Sequence, residues 1–228
     1  VKPEDFLRLT ALQELLGGVA HEINQPLNAI MIASQVIRLR VERSHLAEEQ
    51  EAFLTERLDL ISSQAQKAAQ IIDNFRSLGD HDESSDTETL FRALFDQVLG
   101  LMGQQFISRG IDLICEMHDP ASLIKGTPQV VRGIIVQALV FGRDAVQAIG
   151  GWHEKNGIAY KRILNATLSD EQGRCVFHLV WDRGQVLDWT ALINPNAYAG
   201  LKAAKSILSS RGGGLKLTDD ALRLIFPS

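Results

Sequence analysis

Two long stretches of helical periodicity, set end to end and almost free of glycine, constrain this chain more than any other feature. From Pro3 to Arg43 the only glycines are Gly17 and Gly18, and the one internal proline is Pro26. Leu12, Leu16, Val19, Ile23, Leu27 and Ile30 recur at steps of three and four, which is one apolar face of a long helix. A polar stretch from Glu42 to Glu51 follows. A second series then reads Leu54, Leu58, Ile61, Ala65, Ala68, Ile72 and Phe75, with steps alternating between four and three. That is a heptad seam. Two such helices joined by a short turn form an antiparallel helical hairpin. One hairpin cannot cover both seams, but two copies can, so the expectation is a homodimer built as a four-helix bundle.

The pattern changes after Gly79. Residues 80–86 are polar and read as a linker. Beyond them helix and strand signals mix. Leu90 to Phe106 reads as a helix, Ile111 to Met117 as a strand, and Pro128 to Ile149 as a strongly apolar helix. Strands over Ala159–Leu168 and Cys175–Trp181 are joined by a turn from Ser169 to Gly173. Tyr198 to Ser210 reads as a helix that the glycines at 212–214 end. A last hairpin pairs Leu215–Leu217 with Leu222–Ile225 around Asp219 and Asp220. This order predicts an α/β sandwich with helices on one face of a mixed sheet. The domains are therefore expected at 1–79 and 87–228, with the linker between.

Composition excludes several classes. The chain has 228 residues, 45% apolar and 22% charged, which is ordinary for one large or two small globular domains. Net charge is −5, so no broad nucleic-acid footprint is expected. Cys115 and Cys175 lie far apart, which fits neither a disulfide framework nor a zinc site and suits a reducing compartment. No apolar run is read as long enough to span a bilayer, and no signal-peptide pattern is read at the start. The chain begins at Val1 rather than Met, so an upstream sensor or membrane segment is an expectation.

The strongest chemical signal lies on the first helix. Residues Gly18 to Asn28 include His21, Glu22, Ile23, Asn24, Gln25 and Pro26 in succession. Val19 and Ile23 belong to the apolar face. His21 is two residues from each, roughly 200° away around the helix. That predicts an exposed imidazole on a rigid rod. A neutral imidazole is a good nucleophile toward phosphorus, and exposure lets a partner deliver or take a phosphoryl group. Glu22 is placed to orient the ring or accept its proton. Pro26 removes one backbone bond and can bend the helix just past the reactive position.

This string resembles the H-box of the sensor histidine kinase family, His-Glu-(Ile/Leu)-x-x-Pro. The resemblance implies that His21 is the phosphoacceptor and Glu22 its acid/base neighbour. It also implies that Gln25 stands where many members position water for dephosphorylating a partner, although Thr or Asn is commoner there. The second helix, around Gln64 to Asp73, is similar to that of the family's dimerisation domain. The later elements resemble the family's ATP-binding catalytic domain.

The resemblance implies three nucleotide-binding boxes, and each departs from the family pattern. On the helix beginning near Gln129, Arg143, Asp144 and Ala145 match, but the Mg²⁺-binding Asn position falls on Phe141, and an earlier family Asn falls on Gln137. Phe offers none of the hard oxygen ligands that Mg²⁺ takes. The Asp-x-Gly-x-Gly box keeps Asp182, which would recognise the adenine amine, and Gly184, but has Val186 at its second glycine. On the residues alone, Asp182-Arg183-Gly184 also reads as a simple turn after a strand. The phosphate loop keeps Gly200 but has Tyr198 where a glycine would let backbone N–H groups approach phosphate. About fifteen residues separate Gly184 from Gly200, where the family carries a longer lid. Asp182, Gly184 and Gly200 are thus vestigial binding residues, and neither a cofactor nor a metal is expected, a partner receiver supplying its own Mg²⁺.

The reading that follows is two-component signal transduction by phosphorelay, with phosphoryl groups passing through His21 to or from receiver-domain aspartates. The alternatives are a pseudokinase scaffold that dimerises and docks a receiver or a true kinase, and an active ATP-dependent sensor kinase. Expected partners are a second copy, a response regulator receiver, and an upstream sensor segment or another histidine kinase. The domain is expected in the cytoplasm, with membrane anchoring of the full-length protein. The other histidines match no metal spacing: His45 and His81 fall in polar connections, His118 and His153 in loops, and His178 on a strand. Trp152, Trp181 and Trp189 are expected to fill core.

Overall fold

The computed structural model describes residues 2–43, 48–79, 87–117 and 123–227. The linker at 80–86, together with His45, His81 and His118, lies outside the described residues. Two long helices, α1 (Pro3–Arg43) and α2 (Glu48–Gly79), open the chain. They are followed by β1 (Thr87–Leu90), α3 (Phe91–Ile107), β2 (Asp112–Met117), β3 (Leu123–Gly126) and α4 (Pro128–Lys155). Next come β4 (Ile163–Glu171), β5 (Arg174–Trp181), α5 (Ala199–Ser210), β6 (Gly214–Leu217) and β7 (Ala221–Ile225). A helical region followed by a mixed α/β unit is the fold class that the periodicity predicts. The chain forms two compact units, 16–80 and a second made of 1–15 with 81–228, so the division falls within α1.

In the helical unit, the Arg40 guanidinium lies 4.5 Å above the Phe53 ring and Arg57 lies 5.0 Å from it, so the end of α1 meets the start of α2. Val19 and Ala33 on α1 and Ala68 and Ile71 on α2 are buried, as is Pro26. The covered stripe is narrower than the sequence pattern. Leu27, Leu58 and Ile72, which the period places on the apolar faces, remain about half exposed. The physical reason is that two helices cover one side of each other, and a seam several residues wide needs further helices to close it.

In the second unit, five strands form one sheet in the order β2-β4-β5-β7-β6. β2 pairs parallel with β4, and the other neighbours are antiparallel. β1 and β3, which the sequence reading missed, form a separate antiparallel pair, Thr87 opposite Gly126. Four-residue strands are too short to show a period. One sheet face is apolar: Leu164, Ala166 and Leu168 on β4, Phe177, Leu179 and Trp181 on β5, and Leu222 and Leu224 on β7 are all buried. The helices cover that face. Phe91 and Phe95 of α3 stand 5.2 and 5.3 Å from the Phe177 ring, and Phe226 stands 5.2 Å from Phe91. Each such aromatic pair adds about 0.5–1.5 kcal/mol beyond area burial.

α4 is the central helix. Thr127 precedes it in extended conformation and Pro128 opens it, a good start because the missing N–H has no helical partner there. Buried residues then occupy every side of it from Val131 to Arg143. Here one expectation is corrected. By length and composition α4 does suffice to cross a membrane, with a mean hydropathy of 1.2 over its most apolar window. In this fold 83% of that window is buried inside the protein, because the helix packs against the sheet and its neighbouring helices at once. The first turns of α1 also belong to this unit. Leu7, Ala11 and Leu15 are buried, Glu4 accepts from Arg211 at 3.1 Å, and Glu14 lies 3.8 Å from Arg143.

Candidate functional site

His21 and Glu22 lie in the middle of α1, in unbroken helix, and their side chains are outside the described residues. Gln25, one turn on from His21, carries an exposed side chain, and Pro26 beside it is buried. Around it Ile23 is half-covered, and Asn24 and Gln25 face solvent.

The residues that depart from the nucleotide boxes converge in space. Phe141 on α4 is fully buried. Its ring meets Tyr198 edge-on at 5.1 Å, Trp181 at 6.0 Å and Trp189 at 6.1 Å, and the two indoles are 5.8 Å apart. Trp181 ends β5, Trp189 sits in a single 3₁₀ turn (Trp189–Ala191), and Tyr198 immediately precedes α5. Three separate segments therefore meet on one phenyl ring. Trp181 and Trp189 fill core as expected. Val186 is buried as well.

Gln137, one turn before Phe141, is also buried. A side-chain carbon built on Gly200 would come within 2.0 Å of the Gln137 amide oxygen. A larger residue there would require the buried Gln137 side chain to move. The Gln137 amide nitrogen and the indole N–H groups of Trp181 and Trp189 are buried with no acceptor among the described residues. Leaving such donors unmet costs about 1–3 kcal/mol each.

A polar chain borders the aromatic cluster. The Tyr198 hydroxyl donates to Asp144 Oδ2 at 3.0 Å, and Arg143 Nε donates to Asp144 Oδ1 at 2.8 Å. Arg143 also donates to Gln105 Oε1 at 2.5 Å. Burial, followed by the Asp144 charge and hydrogen bond, raises the Tyr198 hydroxyl above the ordinary tyrosine range, with Arg143 opposing. The sequence reading counted Asp144 only as a matched residue. Its pairing with Tyr198 spans 54 positions, and no local signal announces it.

Asp182 and Gly184 form the turn that the residues alone suggested. Asp182 Oδ1 accepts the Gly184 N–H at 2.7 Å, and Gly184 has φ +55°, a left-handed conformation that suits glycine. His153 supports this turn, which corrects its placement in a loop: α4 runs on to Lys155, and His153 is buried on it. Its Nδ1 is 2.9 Å from the Ile149 carbonyl, and its Nε2 accepts the Gln185 N–H at 3.1 Å. With Nε2 accepting, Nδ1 carries the proton. Tyr160 stacks on the imidazole at 4.4 Å, and its hydroxyl donates to the Asp182 carbonyl at 2.5 Å. Burial first, and then the Asp182 charge, raise the Tyr160 hydroxyl to about 12. Among the described residues no three His, Cys, Asp or Glu side chains gather as metal ligands.

Residues 11–84 match the His Kinase A (phospho-acceptor) domain, which takes in His21 and both helices. Two curated relatives are similar along the chain. The two-component sensor PprA of Pseudomonas aeruginosa is 24% identical over 95% of this chain. The signal transduction histidine-protein kinase AtoS of Escherichia coli is 25% identical over 62% of it. The chain spans 22% of the length of each. Among solved structures, the histidine kinase AdeS of Acinetobacter baumannii is 11% identical, with 91% of this chain and 97% of that one covered and a TM-score of 0.42. The histidine kinase ThkA in complex with response regulator protein TrrA is 16% identical, with 96% and 62% covered and a TM-score of 0.44. The two long helices thus carry a His Kinase A (phospho-acceptor) domain, and the chain is similar to two-component sensor kinases along most of its length.

Proposed function

We propose that this chain moves phosphoryl groups through His21 to or from receiver-domain aspartates, as a dimer, without using ATP itself. The observation that carries the reading is the aromatic contact of Phe141 with Trp181, Trp189 and Tyr198. A phenyl ring has no oxygen for Mg²⁺, and a tyrosine tied to Asp144 stands ahead of α5 in place of a bare glycine. The residues present do not fit Mg·ATP. Asp182, the expected adenine partner, spends one oxygen on its own turn.

In the transfer step an imidazole nitrogen of neutral His21 attacks phosphorus. A P–N bond forms as the P–O bond to the receiver aspartate breaks, and the aspartate leaves as carboxylate. The other ring nitrogen then loses its proton, with Glu22 as the adjacent acceptor. Reversal delivers the group to a second receiver. The receiver brings its own Mg²⁺, so no fuel site is needed in this chain. Dimerisation is supported by the half-exposed Leu27, Met31, Leu58 and Ile72 on the helical unit, which a second copy would cover. Like the kinase regions of sensor proteins, this region would work on the cytoplasmic side.

The test mixes the chain with a phosphorylated receiver carrying labelled phosphate. Acid-labile label on the chain that disappears in His21→Ala supports the reading. Absence of label on wild type overturns it, and retention of signalling by His21→Ala favours a scaffold instead. Calorimetry with Mg·ATP should show no binding; tight binding with labelling of His21 would restore the ATP-dependent kinase reading.

A further inference from the structure

The α/β unit carries a basic groove remote in sequence from the phospho-acceptor motif. It lies between α5 and β6 and encloses about 460 Å³. Leu201, Leu215 and Leu217 give it apolar walls, the exposed Lys202 and Lys205 flank it on α5, and the exposed Lys216 stands between the two leucines on β6. No carboxylate lines it. The acidic residues closest in sequence are engaged elsewhere: Asp219 accepts from Arg183 at 3.1 Å, and Asp220 accepts from the Thr218 hydroxyl at 3.1 Å. Among the described residues no carboxylate is paired with any of the three lysines, in a chain whose net charge is −5.

The groove also runs along an open edge. β6 is the outermost strand of the sheet and pairs only with β7, so its outer row of peptide groups has no strand partner. A lysine on an edge strand commonly guards against pairing with another copy, and Lys216 is placed for this: a second β6 would bring its own Lys216 against the first. Lys202 and Lys205, however, lie on the helix, off the edge, and are not needed as guards. Together the three charges repel a second copy and attract a strand of opposite charge.

We propose that this groove docks an extended acidic segment of a partner protein, which adds to the edge at β6 as a sixth strand. Backbone hydrogen bonds to β6 would hold it; on the face toward α5 its acidic side chains would meet Lys202 and Lys205 above the leucines, and its alternate side chains would lie beside Lys216 on the opposite face of the sheet. Exposed ion pairs are individually weak, so affinity should be modest and strongly salt-dependent. The site is independent of the phosphotransfer reading, since it uses neither His21 nor the cluster around Phe141.

The test is fluorescence anisotropy of a labelled eight-residue peptide alternating glutamate and valine, titrated with the full 228-residue chain. Saturable binding is expected, weakening at least tenfold in the Lys202→Glu/Lys205→Glu variant and severalfold in the milder Lys205→Gln. Circular dichroism shows that both remain folded. A peptide N-methylated at alternate residues should bind at least tenfold more weakly, because it cannot complete the strand ladder. His21→Ala should bind like wild type, which separates this site from phosphotransfer. No saturable binding, charge-reversed variants binding as wild type, or an N-methylated peptide binding equally well would each overturn the proposal. Full displacement by millimolar inorganic phosphate would also overturn it, assigning the groove to small anions.

Discussion

On the two long helices Leu27, Met31, Leu58 and Ile72 stand about half exposed, whereas Phe141, Trp181 and Trp189 in the α/β unit are almost wholly buried. The first group waits for a surface to cover it. The second has already closed around itself, with ring centroids 5.8 to 6.1 Å apart. The contrast separates two ways a chain uses large apolar side chains. In the helical unit they stay open to solvent along both helices. In the α/β unit they pack against one another and form core.

Four measurements would break or sharpen this contrast. The largest effect is expected from Phe141→Ala, which should destabilise the α/β unit by about 3–5 kcal/mol in denaturant unfolding. Phe141→Asn should destabilise as well, because the small side chain leaves a cavity and loses the ring contacts. A loss below about 1 kcal/mol for either would mean the site is looser than its ring contacts indicate. Next, Leu58→Asp with Ile72→Asp should raise the dimer dissociation constant by about 100-fold, or roughly 2.7 kcal/mol. Sedimentation equilibrium reads this, and the α/β unfolding midpoint should stay in place. Equal dimerisation by wild type and variant would remove the interface from this face.

Tyr198→Phe is a smaller change. It keeps the ring against Phe141 but deletes the hydroxyl that donates to Asp144. A loss of about 1 kcal/mol is expected. The smallest effect is confined to alkaline pH. Tyr160 and Tyr198 are the only tyrosines, and both are raised. The folded protein should therefore show no tyrosinate absorbance at the usual pH near 10, with Tyr160 ionising at about 12 and Tyr198 later still. A raised folded value means that the unfolded chain loses these protons first. The stability they contribute is thus complete below about pH 10 and is lost as pH rises from there through the folded values. A normal tyrosine titration in the folded protein would show that the hydroxyls are not held as described.

How much of this the residues foretold varies by element. The periods of α1 and α2 run for many turns, so both helices were legible. The strands β4, β5 and β7 alternate and were placed to within a few residues. β1 and β3 have four residues each and gave no signal. α4 was cut short at Ile149 because its apolar pattern fades there, although the helix continues through His153 to Lys155. The sequence pattern therefore places His153 in a loop, and nothing local points to its support of the turn at Asp182–Gln185.

What the sequence determined by itself is local: the helical rod with His21 on it and the turn at Asp182–Gly184. Each depends on the chemistry of a few neighbouring positions. Only the tertiary structure decided that Phe141, Trp181, Trp189 and Tyr198 share one cluster, that Gln137 lies against Gly200, and that Asp144 holds the Tyr198 hydroxyl. Those contacts join segments dozens of residues apart, and chain periodicity carries no information about which faces meet. Packing decides that, because burying the apolar face of the sheet against α3, α4 and α5 fixes all their neighbours at once.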